Sequence, residues 1–423
     1  MSRFFYSLAL YLLLPFTPLK LLWRGIKQPQ YRQHLSERYG CYEAKPKKPV
    51  IWLHCVSLGE TRAAAPLVQA LMQQNPQHRI LLTHATPTGR EAGEQLFGDQ
   101  VDRVYLPYDT PDAVARFLNH FQPSVGLLME TELWFNLISG CKARDIPLLL
   151  VNARLSAKSA KGYAKVANLT REGLSNLTAI AAQTEQDAER LIALGAREVS
   201  VCGNLKFDVK PPEEAQERGL YLRNLLGKHR PVFLAASTRD GEEALILDAV
   251  QQLNIPNLLT IIVPRHPQRF DEVAELLKKR DIAYCRRSDL SQGNVAADIP
   301  SSSVILGDSM GEMFTYYAAC DVAFIGGSLL PLGGQNLIEA SIMAKPVLIG
   351  PHTFNFEQAT EQAVAKCAAW RVQNVDELVG ALQKLLSDSD MQARMAEAAV
   401  KFSQSATGAT ERIANLVAQH LRS

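Results

Sequence analysis

Residues 321–356 read DVAFIGGSLLPLGGQNLIEASIMAKPVLIGPHTFNF, and the reading of this stretch decides the fold. Val322, Ala323, Phe324 and Ile325 make an uninterrupted apolar run, as expected of a strand buried on both faces. A loop rich in glycine follows (Gly326, Gly327, Gly333 and Gly334), then a helix predicted to open near Asn336 and a second apolar strand over residues 346–349. Strand, loop, helix and strand in this order are the repeat of a parallel α/β domain, in which ligands gather outside the carboxyl ends of the strands. Glycines let backbone N–H groups come close to a ligand, and a helix N-terminus adds partial positive charge. Glu339 falls one turn into the helix, either to accept hydrogen bonds from ribose hydroxyls or as an ordinary first-turn acid favoured by the helix dipole. The stretch contains neither G-x-G-x-x-G nor G-x-x-x-x-G-K-[ST], so it fits a phosphate-bearing ligand without the dinucleotide or P-loop fingerprint.

The same alternation runs through most of the chain. Apolar runs at residues 80–83, 104–106, 125–129, 148–151 and 180–182, preceded by VIWLH at 50–54, predict the strands of one domain, with helices at 62–74 and 113–120 between them. A second series at 232–236, 258–263, 283–285, 304–306, 322–325 and 347–349 predicts another. The polar, proline-containing segment KPPEEAQERG at 210–219 is the expected hinge. Residues 375–386 and 390 onward read as helices without strand signal. Two doubly wound α/β domains with a cleft between them are therefore expected, which suits a length of 423 residues.

Composition narrows the function. A net charge of +2 gives no sign of a nucleic-acid partner. Seven cysteines without C-x-x-C or Cys/His spacing argue for a reducing compartment and against structural zinc. The histidines show neither H-x-x-x-H nor H-E-x-x-H, and no D-x-D pair is placed for a metal. At the N-terminus, FFYSLALYLLLPFTPLKLLW (residues 4–23) is close to the ~20 residues that cross a bilayer, with Pro15 and Pro18 expected to kink it. Arg24, Lys27, Arg32 and Arg38 follow, which by the positive-inside bias puts the body in the cytoplasm. The segment fits a membrane span, a helix lying in one leaflet, and a hydrophobic helix packed on the body.

Residues able to do chemistry cluster after the predicted strands. The first turn, HCVSLGE at 54–60, offers Ser57, Gly59 and Glu60; Glu60 reads either as a structural acid at a helix start or as a general base toward an acceptor hydroxyl. Arg90, Glu130 and Glu132, Arg154, and Lys206 follow the later strands, each alone explicable by a surface ion pair. In the second half, STRDGEE (237–243) follows a strand, and VPRHPQRF puts Arg265 and His266 directly after another. The arginine there would clamp a phosphate, and the histidine would bond one or simply satisfy a turn. Ser309, Met310 and Gly311 form a turn whose backbone suits a pyrimidine edge.

HCVSLGE, TGRE, ETELW, NARLS, GNLKFD, STRDGEE, VPRHPQRF, GDSMGE, GGSLLPLGGQN and GPHTFNF, in this order and over nearly the whole chain, resemble the Kdo transferase family. Its members move 3-deoxy-D-manno-octulosonic acid (Kdo) from CMP-Kdo to the lipid A precursor. The resemblance implies a glycosyltransferase B fold of two Rossmann-like domains: a membrane anchor at 1–25, an acceptor domain at 26–215, a CMP-Kdo domain at 216–400 and a C-terminal helix at 401–423 returning to the first domain. It implies Glu60 as catalytic base and CMP contacts at Arg265, His266, Met310, Gly311, Glu312, Asn336, Leu337, Ile338 and Glu339. Ser57, Gly59, Arg90, Glu130, Glu132, Arg154 and Lys206 become candidates for the acceptor or the Kdo carboxylate. It further implies inversion without metal or cofactor, and a place on the cytoplasmic side of a bacterial inner membrane with CMP-Kdo, lipid A precursor and membrane as partners. Gln335, Leu337, Ile338, Arg239 and Phe135 depart from the family pattern. The alternatives are another enzyme of this fold using a UDP-sugar (a transferase or a 2-epimerase), or a membrane-anchored nucleotide-binding module without catalysis.

Overall fold

The computed structural model describes residues 2–43, 45–290 and 304–421. The chain divides into two compact units, one formed by Met1–Asp208 with Ala406–Ser423 and the other by Val209–Ser405.

The first unit is built on seven parallel strands: β1 (Val50–His54), β2 (Arg79–His84), β3 (Asp102–Tyr105), β4 (Val125–Met129), β5 (Leu148–Ala153), β6 (Ala179–Ala182) and β7 (Val199–Val201). Their order is β3-β2-β1-β4-β5-β6-β7. Every residue of VIWLH is buried because helices cover both faces of the sheet. On one face Leu67, Val68 and Leu71 of the helix Leu58–Gln74 pack on Ile51 and Leu53; on the other Phe117 and Leu118 pack on Trp52. The strand order reverses between β1 and β4, so the turns after these neighbours share the crevice where such sheets bind ligands. β7 escaped the sequence reading: it is a three-residue edge strand whose last two residues face solvent, so it lacks an apolar run.

The chain returns to this unit at its end. The expected single segment from 390 onward is two helices, Ser389–Ala406 and Ala409–His420, broken at Gly408, whose φ of +92° suits glycine. Asp208, of the GNLKFD motif, accepts from Gly408 N at 2.6 Å and also from Thr410 N. Ile413, Ala414 and Val417 then bury beside Leu67 and Leu71. The ends of the expected 401–423 segment and of the expected anchor, Arg422–Ser423 and Met1, lie outside the described residues.

The N-terminal segment is helical over Arg3–Leu13 and Thr17–Lys27, joined by a 3-10 turn at Leu14–Phe16 where Pro15 removes a backbone donor. Arg3–Lys27 is the one stretch among the described residues long and apolar enough to cross a membrane.

The second unit repeats the plan with β8 (Val232–Thr238), β9 (Leu259–Pro264), β10 (Tyr284–Arg286), β11 (Val304–Leu306), β12 (Val322–Ile325), β13 (Val347–Ile349) and β14 (Ala369–Arg371), all parallel in the order β10-β11-β9-β8-β12-β13-β14. β8 and β12 are neighbours, so STRDGEE and the glycine-rich loop emerge side by side. Two expectations change. The second apolar strand of the opening stretch begins at Val347, since Pro346 lacks the N–H a ladder needs. The helix expected near Asn336 begins at Ile338 and is only five residues long, because Asn336 uses its side-chain oxygen to accept from Ile338 N at 3.0 Å and makes a turn instead.

Candidate active site

In the first unit, β1 ends at His54 and the chain enters the helix Leu58–Gln74 through Ser57, the N-cap. The Glu60 carboxylate accepts from Val56 N at 2.8 Å and from the Ser57 hydroxyl at 3.0 Å. These bonds close the turn much as a capping box does, so the structural role is real. The same geometry holds the acid partly buried, and burial pushes it up to about 7; the carboxylates of Glu130 and Glu132 push the same way, against the two hydrogen bonds. A carboxylate that changes protonation near neutral pH suits a general base. His54 does not compete for that role. It is fully buried, bonded through Nδ1 to Thr83, and burial lowers it to about 3.

Gly59 is exposed, and a Cβ there would meet nothing closer than Ser57 Oγ at 3.9 Å. Packing within the chain therefore does not demand glycine at 59.

β4 delivers Glu130, which adopts a φ of +57°, uncommon for a residue with a side chain. Its carboxylate lies 3.6 Å from Lys206 Nζ. Lys206 comes from a distant motif, and the link is Asn152: its Oδ1 accepts from Leu205 N at 3.0 Å, tying NARLS to GNLKFD. Burial raises the pKa of Glu132. Arg154 is exposed, and its carbonyl accepts from the Thr131 hydroxyl. Ser57, Gly59, Glu60, Glu130, Glu132 and Lys206 thus belong to one end of the sheet. Arg90 is differently placed: its guanidinium pairs with Glu37 at 2.8 Å and borders a hollow of 850 Å³ beside β3. Glu37 also accepts from Tyr105 N at 2.7 Å, and buried Arg38 stacks 3.8 Å from the Tyr105 ring. Sequence reading missed Glu37, which precedes the first strand and carries no motif, and took Arg38 only as part of the basic flank, whereas it is buried against Tyr105.

In the second unit the glycine-rich loop is held from within. Gly326 N donates to Ala236 O at 2.8 Å, Gly327 N to Glu242 at 2.5 Å, and Gly334 N to Gly327 O at 2.6 Å. A Cβ at Gly326 would sit 2.5 Å from Ser237 O, and one at Gly333 would sit 2.3 Å from the Asn355 side chain. These glycines serve close packing of the loop on β8 and on the GPHTFNF turn, and three of their N–H groups are engaged inside the chain rather than left for a ligand.

Glu242 is the organising group that the sequence reading passed over. Fully buried, it accepts from Arg239 N at 2.9 Å, from Gly327 N, and from Leu329 N at 3.0 Å. Its neighbour Glu243 accepts from the Thr238 hydroxyl and from Arg269 at 3.0 Å. The available signal was its spacing, an acid three residues after Arg239, the first residue beyond β8.

Arg265 and His266 stand exposed beyond β9. Burial and the guanidinium groups of Arg239, Arg265 and Arg269 lower the pKa of His266, so this corner carries the positive potential an anion needs. Glu339 is held by the Asn336 amide at 3.1 Å; burial raises its pKa, while Arg265 pulls it down. Leu337 and Ile338 are fully buried, so their side chains belong to the core and only their backbone is available to a ligand. Met310 is 60% exposed and Gly311 takes a φ of +79°. Glu312 is pinned by Arg287 at 3.0 Å and by the Ser309 hydroxyl. Among the described residues no group of three or more His, Cys, Asp or Glu side chains is arranged to hold a metal ion.

Solved structures share this architecture. A glycosyltransferase from Rickettsia africae superposes with a TM-score of 0.58 at 14% identity, covering 89% of this chain and 100% of that one. A UDP-GlcNAc 2-epimerase from Neisseria meningitidis gives 0.57 at 15% identity, covering 88% and 100%. At such identities the likeness shows the fold alone, the glycosyltransferase B type. Sequence comparison goes further. Residues 33–209 match the family model described as 3-deoxy-D-manno-octulosonic-acid transferase (kdotransferase). The chain is 42% identical to the 3-deoxy-D-manno-octulosonic acid transferase of Bordetella pertussis, over 97% of this chain and 98% of that one. It is 40% identical to the enzyme of the same name from Haemophilus influenzae, over 100% and 99%. The protein is a glycosyltransferase. It belongs to the Kdo transferase family.

Proposed function

We propose that the enzyme transfers Kdo from CMP-Kdo to a hydroxyl of the lipid A precursor in one inverting displacement that needs no metal ion. Glu60 takes the proton of the acceptor hydroxyl, the freed oxygen bonds to the anomeric carbon of Kdo, and the bond from that carbon to the CMP phosphate oxygen breaks with its electron pair leaving on CMP. The observation that carries this reading is Glu60 itself, a partly buried carboxylate whose pKa of about 7 suits a base at neutral pH. The guanidinium of Arg265 supplies charge for the departing phosphate, His266, its pKa lowered by burial and the nearby guanidinium groups, a ring hydrogen bond, and exposed Met310 an apolar surface for the cytosine ring. Glu130, Glu132, Lys206, Arg154, Ser57 and Gly59 are assigned to the acceptor or the Kdo carboxylate, and Arg90 to positioning through its pair with Glu37. Glu60 belongs to the first unit, and Arg265, His266 and Met310 belong to the second. The apolar segment Arg3–Lys27, with Arg24, Lys27 and Arg32 at its end, supports a location on the cytoplasmic face of a bacterial inner membrane.

Mass spectrometry of the product formed from CMP-Kdo and tetra-acylated lipid A precursor tests the reading. A mass increase of one or more Kdo groups supports it; turnover with UDP-sugars in place of CMP-Kdo, or no product at all, overturns it. The pH profile gives a second check. Because the base must be deprotonated, kcat/KM rises about tenfold per pH unit below about 7 and levels above it. A rate already flat between pH 5 and 7 would remove Glu60 from the role.

A further inference from the structure

The N-terminal segment is seated on the first unit along its length. Tyr6 donates to Asp109 at 2.8 Å and packs edge-on against Phe135 at 5.2 Å. Ser7 donates to Asn136 at 3.0 Å, Tyr11 to Asp112 at 2.7 Å, and the Thr17 hydroxyl meets that of Tyr39 at 2.9 Å. Leu21 and Gly25 are buried a turn and two turns further on. The Tyr6 bond shares its acceptor with the body: buried Asp109 also accepts from Asn136 N at 3.0 Å and Leu137 N at 2.8 Å, where the helix Phe135–Lys142 begins.

The opposite side is an unbroken apolar strip. Phe4, Leu12, Phe16, Leu19, Trp23 and Ile26 are each 60–71% exposed. Charge says what covers it. Residues 1–36 contain Arg3, Lys20, Arg24, Lys27 and Arg32 and no acid; Glu37 is the first. A second copy seated on the same strip about a two-fold axis would bring these cations against their own counterparts. An anionic lipid surface neutralises them, and Trp23 and Tyr31, with Arg24, Ile26 and Lys27, rim a hollow of 220 Å³ at the C-terminal end of the strip.

We propose that residues 3–27 lie in the plane of one leaflet of an anionic phospholipid bilayer, apolar strip down and docked face on the body, instead of crossing the membrane. The proposal rests on the membrane placement above and sharpens it. Length alone would permit crossing, since 25 residues at about 1.5 Å each exceed the roughly 30 Å hydrocarbon core. Crossing would tear Tyr6, Ser7, Tyr11 and Thr17 from their partners, leave Asp109 without its hydroxyl donor, and carry those hydroxyls into hydrocarbon. Lying in the plane keeps every one of these bonds. It also ties the helix at Phe135, just after Glu130 and Glu132, to the level of the membrane surface, where a lipid acceptor resides.

Two measurements on the full chain test this. With a short epitope tag ahead of Met1, external protease should remove the tag from inverted inner-membrane vesicles and spare it in intact spheroplasts; cleavage in spheroplasts would mean a crossing segment and overturn the proposal. In flotation with vesicles of phosphatidylethanolamine and phosphatidylglycerol (3:1), the purified enzyme should bind at least tenfold better than to phosphatidylcholine alone, and Leu12→Glu should lose that binding. Leu12 is exposed, so the change spares the core. Equal binding to both lipids, unchanged binding of the variant, or a dimer in place of vesicle binding would each overturn it. Failure to bind any vesicle counts against the membrane placement itself, whereas binding with the tag outside counts only against the in-plane geometry.

Discussion

Glu60→Gln lowers turnover by about 10²–10⁴-fold, the usual contribution of a positioned base, while CMP binding measured by calorimetry stays within about twofold of the parent. The substitution isolates the proton transfer because the amide preserves the local bonds. Its oxygen accepts from Val56 N, and its NH₂ donates to the Ser57 hydroxyl oxygen, in place of the two bonds the carboxylate receives. Loss of fold is not a competing explanation. The pKa of Glu60 is raised in the folded chain to about 7, so its contribution to stability is present in full below the ordinary carboxylate range and is lost as pH rises through about 7. At pH 8 the buried charge works against folding, and the neutral amide removes that cost. The variant should therefore melt no lower than the parent at pH 8. A fully active Glu60→Gln enzyme would transfer the role of base to another group, with Glu130 and Glu132, whose charges act on Glu60, the first to test.

Glu242→Ala should do the most damage to the second unit. Three backbone N–H groups, of Arg239, Gly327 and Leu329, lose their acceptor at once. A buried donor left unsatisfied costs about 1–3 kcal/mol, so the combined effect reaches several kcal/mol, a large fraction of the stability of an ordinary domain. The loss also frees the glycine-rich loop at its root, beside β8. Calorimetric melting should show an earlier unfolding transition, and CMP affinity should fall at least tenfold. Glu242→Gln keeps one oxygen acceptor but turns its NH₂ toward at least one backbone donor, so it should fall between the two. An alanine variant with parental melting and CMP affinity would show that the loop holds itself, through Gly334 N on Gly327 O and the packing of Gly333 on Asn355.

Much of the fold was legible because a parallel sheet covered on both faces requires continuous apolar strands. Val125–Met129 and Val322–Ile325 were readable to the residue, since every side chain in them is buried. The edge strands Val199–Val201 and Ala369–Arg371 were not, because at an edge the burial that writes the apolar run is incomplete. The turn at Glu60 was legible for a similar reason: a polar cluster straight after a buried strand has few places to lie.

The opening stretch, residues 321–356, shows where sequence stops. By itself it determined a strand, a glycine loop and a second strand, because hydrophobic burial and backbone freedom are local consequences of residue type. Which N–H groups of the loop remain available was decided by Glu242, some eighty residues earlier in the chain, and by the GPHTFNF turn that folds back on Gly333 and Gly334. The sequence likewise supplied the charges of Lys206 and Glu130, but bonds made in the folded chain, Asn152 to Leu205 N and Asn204 to Gln183, bring them together. At the N-terminus, composition determined an apolar segment with a basic flank, and hydrogen bonds to Asp109, Asp112 and Asn136 decided that its other face is docked. Burial pattern is written into neighbouring residues, whereas the pairing of polar groups depends on partners that only the folded chain brings within about 3 Å of each other.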